Sequence, residues 1–107
     1  MTLPFDVAAV RAEFPILGTE IDGRPLVYLD SGATSQKPRA VLDAERDFLE
    51  TANSAVHRGA HTLAAEATEL FEDARAAVAE FVGGTPEQLV WTSGATAGLN
   101  LVAGSLG

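Results

Sequence analysis

The stretch Leu89-Val90-Trp91-Thr92-Ser93-Gly94-Ala95-Thr96-Ala97-Gly98-Leu99-Asn100 constrains the fold more than any other part of the chain. An apolar run of strand character ends in a turn of small residues, and a helix begins at that turn. The N–H groups of a helix's first turn have no intrahelical partners, and the helix dipole places partial positive charge beside them. Such a turn is suited to a phosphate, and Gly94 and Ala95 keep the backbone open to close approach. Thr96 adds a hydroxyl donor. The same pattern also serves as an ordinary strand-to-helix connection, so a second motif is needed to choose between the two.

The rest of the sequence narrows the setting. Its 107 residues allow at most one domain with a modest core. Hydrophobic residues make up 47%, which places the chain among globular sequences and away from disordered ones. Seven Lys and Arg against fifteen Asp and Glu leave a net charge of −8 and no basic footprint for nucleic acid. No run reaches the ~18 apolar residues of a membrane span. The start, Met1-Thr2-Leu3-Pro4-Phe5-Asp6, lacks a basic segment followed by an apolar one, so a cytoplasmic setting is the default expectation. With no cysteine, the chain can form neither a disulfide nor a thiolate metal site of its own.

Periodicity and punctuation give the element order. Val7 to Phe14 reads as a short helix capped by Asp6 and ended by Pro15. Asp22-Gly23 signals a turn, Leu26 to Leu29 a short strand, and Asp30 to Lys37 a loop. Pro38 suits the first turn of a helix running to about Ala52. Thr62 to Val82 is the clearest helix. Leu63, Ala67, Leu70, Phe71, Ala74, Val78, Phe81 and Val82 form its apolar stripe, while Glu66, Glu69, Glu72, Asp73 and Glu80 read as a solvated acidic face. Gly83-Gly84 closes this helix in the manner of a left-handed cap. Thr85-Pro86-Glu87-Gln88 then carries a capping box around one short turn that feeds the strand Leu89 to Thr92. Helices that separate short apolar strands predict an α/β architecture. The apolar tail Leu101 to Gly107, together with so few strands, is what the front end of a larger α/β protein would show.

A second motif precedes the long helix. Ala55-Val56-His57-Arg58-Gly59-Ala60-His61-Thr62 sets two histidines and an arginine in one loop. The four-residue histidine spacing is a metal-ligand spacing on a helix, but Gly59 opposes regular helix there and no cysteine or adjacent carboxylate completes a site, so no metal is expected. Two readings remain from the residues alone. Either the loop is packed by hydrogen-bonded histidines, or it offers His57 and Arg58 to an anionic or aromatic ligand, Arg gripping a carboxylate through its planar fork.

Three ordered motifs together resemble the SUF-type (group II) cysteine desulfurases of the class V aminotransferase family. Tyr28-Leu29-Asp30-Ser31-Gly32-Ala33-Thr34-Ser35-Gln36-Lys37-Pro38 is similar to that family's YLDxAAxxxKP segment. Val56-His57-Arg58-Gly59-Ala60-His61-Thr62-Leu63 matches VHRGxHxL, and Val90 to Asn100 resembles VFTxGTTExxN. The resemblance implies that residues 1–107 are the N-terminal portion of an α/β, fold type I transferase dependent on pyridoxal 5′-phosphate, with a long amphipathic helix and short strands. It implies an enzyme that takes sulfur from L-cysteine as an enzyme persulfide, leaves L-alanine and supplies iron–sulfur cluster assembly. A homodimer and a sulfur-acceptor protein are the implied partners. On this resemblance Gly94, Ala95 and Thr96 bind the cofactor's phosphate. Gly32, Ala33, His57 and Arg58 line the substrate side.

Departures from the pattern matter. GTTE reads Gly94-Ala95-Thr96-Ala97, which drops one hydroxyl and one carboxylate but keeps the backbone donors. The lysine that carries the cofactor, the aspartate and histidine that hold its ring, and the catalytic cysteine all belong to later sequence in the family. No catalytic residue is therefore expected within this chain, whose one lysine, Lys37, falls on the unrelated KP position. Two rival readings stand beside this one: a selenocysteine lyase or another class V enzyme with the same front end, and a truncated, non-catalytic module that binds an anion or a partner.

Overall fold

The computed structural model describes residues 4–107, which divide into two compact units, one ending at Asn53 and one running from Ser54 to Gly107. Each is built from short local elements.

The first unit opens with helix α1 (Val7–Ala12), and the Asp6 carboxylate accepts the Ala9 N–H at 3.0 Å as its cap. The helix stops two residues short of the predicted Phe14, because Glu13 already caps it and Pro15 starts a separate 3-10 turn, Pro15–Gly18. A hairpin follows, β1 (Glu20–Ile21) against β2 (Arg24–Pro25), paired antiparallel with Ile21 opposite Arg24. Asp22 and Gly23 both have positive φ, 52° and 72°, which is the twist a tight two-residue hairpin needs. Helix α2 (Arg39–Thr51) then begins one residue later than predicted, with Pro38 at the cap and not inside the first turn. The Arg39 N–H donates to the Glu13 carbonyl at 2.8 Å and ties the start of α2 to the end of α1.

The second unit is organised by helix α3 (Thr62–Phe81). Its start is capped by a side chain not expected in that role, since His61 Nδ1 accepts the Ala64 N–H at 3.3 Å. Its end follows the glycine signal. Gly83 has φ 77°, its N–H bonds to the Glu80 carbonyl and the Gly84 N–H to the Ala79 carbonyl, the two bonds of a Schellman cap. The capping box of Thr85 and Gln88 is present around the 3-10 turn Pro86–Gln88. Helix α4 (Ala95–Leu106) completes the unit.

Two expected strands are absent. Residues 26–29 and 89–92 form no ladder, and the hairpin is the one sheet among the described residues. A strand exists only when its backbone groups find a neighbouring strand. Neither segment finds one here, so each is extended chain held by a few isolated bonds. The Leu26 N–H reaches the Thr19 carbonyl and the Leu26 carbonyl accepts from the Arg11 guanidinium, while the Leu89 N–H reaches the Pro86 carbonyl and the Leu89 carbonyl is held by a side chain described below.

The apolar stripe of α3 is likewise little covered. Of its residues only Ala67 is buried, Leu63, Leu70, Phe81 and Val82 are exposed, and the other buried residues of the helix, Ala64 and Ala79, lie off the stripe. Across all described residues the buried core consists of alanines alone. The accessible surface is 8866 Å². Two separate compact bodies of half the mass would together expose about 6,800 Å², so roughly 2,000 Å² of additional surface is open.

Candidate functional site

The histidine loop of the second unit is where its side chains converge. His57 has φ 61°, a left-handed conformation that is uncommon for a residue with a side chain. One face of α3 holds it there, through residues spaced i, i+3, i+4 and i+7. The His57 N–H donates to Thr68 Oγ1 at 3.0 Å, and that hydroxyl donates in turn to the Ala64 carbonyl at 2.7 Å. The imidazole stands edge-on to the Phe71 ring, with centroids 5.9 Å apart and planes at 86°. Its Nε2 lies 2.8 Å from Glu72 Oε1. Arg75, one turn on, donates to Glu72 Oε2 at 3.1 Å and lies over the Phe71 ring at 5.2 Å.

Arg75 also reaches forward. Its Nη1 donates to the Leu89 carbonyl at 2.7 Å. Trp91 packs edge-to-face on Phe71, with centroids 6.2 Å apart. The extended segment that leads to the glycine turn is thus fastened to the same helix face that holds His57. Sequence reading placed Glu72 on a solvated acidic face and gave Thr68 and Arg75 no role. The signal that finds them is the i, i+3, i+4, i+7 spacing of Thr68, Phe71, Glu72 and Arg75, a polar and aromatic stripe beside the apolar one.

His57 and His61 serve different jobs. His61 caps α3, so the packed-loop reading describes it well, while His57 carries the side-chain network. Gly59 between them is required by space. A Cβ built there meets the Ala64 Cβ at 2.3 Å and His61 Nε2 at 3.0 Å. Arg58 is exposed, and its guanidinium makes no hydrogen bond or ion pair among the described residues.

The glycine turn begins α4. Gly94 is the N-cap, with extended backbone and no side-chain cap bond, and the first intrahelical bond runs from the Gly98 N–H to the Gly94 carbonyl. The N–H groups of Ala95, Thr96 and Ala97 therefore have no partner within the helix. The Thr92 hydroxyl donates to the Gly94 carbonyl at 3.1 Å and fixes the turn from its far side. A Cβ at Gly94 would meet nothing within 4 Å, so no packing in this chain requires glycine and the approach to the turn is open. Free backbone donors, an open approach and the Thr96 hydroxyl fit the demands of a phosphate.

Gly32 and Ala33 belong to the first unit, on the turn after Tyr28, and both are exposed. The Ala33 N–H donates to the Asp30 carbonyl at 3.0 Å, and Tyr28 Oη lies within hydrogen-bond reach of the carbonyls of Asp30 (2.9 Å) and Thr34. Lys37 Nζ donates to the Ser35 carbonyl at 2.6 Å, a local loop contact. Among the described residues no helix is long and apolar enough to cross a membrane.

Comparison with known proteins follows the same residues. The family model for aminotransferase class-V matches residues 27–107. The chain is 55% identical over 101 residues to the "probable cysteine desulfurase 2" of Mycobacterium leprae, which covers 94% of this chain and 24% of that protein. It is 50% identical over 106 residues to a cysteine desulfurase of Serratia proteamaculans, covering 98% and 26%. A "probable cysteine desulfurase" of Synechocystis is also 50% identical, over 108 residues, covering 100% and 26%. The chain spans about a quarter of the length of the curated relatives it matches.

Proposed function

The chain belongs to the aminotransferase class-V family, and from that premise we propose that it forms the front part of a cysteine desulfurase of fold type I, dependent on pyridoxal 5′-phosphate. The observation that carries this reading is the identity of about half of its residues, along nearly its whole length, to proteins named cysteine desulfurase. The SUF-type motifs at residues 28–38, 56–63 and 90–100 support the finer assignment to iron–sulfur cluster assembly.

In this reading the enzyme moves sulfur from L-cysteine to a cysteine of its own. The carbon–sulfur bond of the substrate breaks, a persulfide forms on the protein, and L-alanine is left. When bound, the cofactor supplies the electron sink that such bond breaking needs. This chain's residues do the holding. The N–H groups of Ala95, Thr96 and Ala97 and the Thr96 hydroxyl bind the phosphate at the start of α4, where the helix dipole favours an anion. Gly32 and Ala33 keep the substrate side open, and His57 and Arg58 present polar groups to it. The reactive cysteine and the cofactor-bearing lysine are supplied by the remainder of the full-length enzyme. A homodimer and a protein that accepts the sulfur complete the proposal.

The test is direct. The full-length enzyme, supplied with L-cysteine and a reductant, releases alanine and sulfide in equal amounts. Residues 1–107 alone, which contain no cysteine, release none above the free-cofactor background. Alanine formed by the isolated segment, or none formed by the full-length enzyme, contradicts the proposal.

A further inference from the structure

We infer that Glu72 is a positioning residue, which fixes the tautomer and direction of the His57 imidazole so that His57 presents Nδ1 toward the substrate. The inference rests on the proposed placement of His57 at the substrate side.

An ionised carboxylate accepts hydrogen bonds and donates none. Ionised Glu72 has no hydrogen to give, so its 2.8 Å contact with Nε2 assigns the proton to Nε2. In the neutral ring Nδ1 is then the nitrogen with a free lone pair, and the bond to Glu72 decides which nitrogen plays which part. Three further contacts remove the ring's remaining freedom. Thr68 holds the His57 backbone N–H, the Phe71 ring blocks one side of the imidazole, and Arg75 holds the second oxygen of Glu72. Glu72 is therefore oriented before it orients His57. Because Arg75 also grips the Leu89 carbonyl, the imidazole is referenced to the segment that enters the glycine turn.

His57 is the third residue of the turn Ala55–Arg58, closed by the Arg58 N–H on the Ala55 carbonyl, a position at which several turn types take positive φ. That turn brings the backbone N–H to Thr68 while the side chain lies on Phe71 and Glu72.

The experiment is a double-mutant cycle in the full-length enzyme, with His57→Ala, Glu72→Ala, both together, and Glu72→Gln. Glu72→Ala is expected to lower kcat/KM for L-cysteine by about tenfold or more, as loss of a histidine's orienting partner does elsewhere. The visible absorbance of the bound cofactor is expected to stay unchanged. In the His57→Ala background the same change is expected to add nothing, because Glu72 acts through His57. Glu72→Gln keeps one oxygen for the two donors, Nε2 and Arg75, and is expected to recover part of the loss. A crystal structure of the Glu72→Ala enzyme is expected to show the imidazole turned away from Phe71 on an unchanged backbone. Full activity in His57→Ala overturns the substrate-side reading and this inference with it. An impaired His57→Ala beside an unimpaired or fully additive Glu72→Ala overturns this inference alone, as does a Glu72→Gln enzyme as weak as Glu72→Ala.

Discussion

Nε2 of His57 lies 2.8 Å from Oε1 of Glu72, fifteen residues further along the chain, and this contact is one of those that join the histidine loop to the long helix. Both side chains keep about half of their surface in water, at 55% and 42% exposure. Exposed pairs of this kind contribute about 0–1 kcal/mol to stability. Glu72→Ala is therefore expected to leave the melting temperature of the full-length enzyme within about 3 °C of wild type. A larger drop would make Glu72 a structural residue first.

Gly59 is held to its identity by space. An alanine there would place its Cβ 2.3 Å from the Ala64 Cβ, and Ala64 is fixed in the buried face of α3. Neither atom is the end of a flexible side chain, so the loop or the helix start must move. Overpacking of this order costs about 1–3 kcal/mol. Denaturant unfolding of Gly59→Ala is expected to show a loss in that range, and an unchanged midpoint would mean that the loop does not pack on Ala64 as described.

The titration of Glu87 is displaced downward. Its carboxyl is held below the ordinary value of 4.5 by its backbone hydrogen bond first and by the Thr85 side chain second. A lowered folded-state value means that its contribution to stability is present above the ordinary carboxylate range and is lost as pH falls through the lowered value. Carbon-detected NMR titration is expected to show Glu87 ionising below 4.5. In Thr85→Val its value is expected to rise. A Glu87 that titrates at the ordinary value contradicts the cap geometry.

Much of this was legible in the residues, and the misses share a cause. Asp6, Gly83 and the Thr85–Gln88 box are local devices whose partners lie within a few residues, so the pattern alone locates them. The strands expected at Leu26–Leu29 and Leu89–Thr92 depend on a neighbouring strand, and propensity carries no information about whether one is supplied. The start of α4 at Gly94 was readable because a turn of small residues after an apolar run marks a helix start. Glu72 and Arg75 were not, because an acidic and a basic side chain on a helix look solvated until the loop that meets them is placed. His61 shows the converse, since a cap made by an imidazole lies outside the usual Ser, Thr, Asp and Asn signals.

Phe81 is 90% exposed and Leu99 71%, while alanines make the whole buried core among the described residues. Each large side chain left in water forgoes about 1.5–3 kcal/mol of burial. A domain's net stability is only about 5–15 kcal/mol, so a few such losses outweigh it. The isolated chain is expected to self-associate or to be only partly ordered, and analytical ultracentrifugation decides the point. A monodisperse monomer with a sharp cooperative melt would favour the rival reading of a self-sufficient, non-catalytic module.

In the proposed function the turn at Gly94, Ala95 and Thr96 holds the phosphate of pyridoxal 5′-phosphate. Thr96→Ala removes one hydroxyl and leaves the three backbone donors and the helix start in place. A charge-assisted hydrogen bond of this kind contributes about 1.5–3 kcal/mol. Titration of the full-length apoenzyme with the cofactor, followed by its visible absorbance, is the measurement. A dissociation constant raised by about one to two orders of magnitude is expected in Thr96→Ala. An affinity equal to that of the wild type would place the phosphate elsewhere.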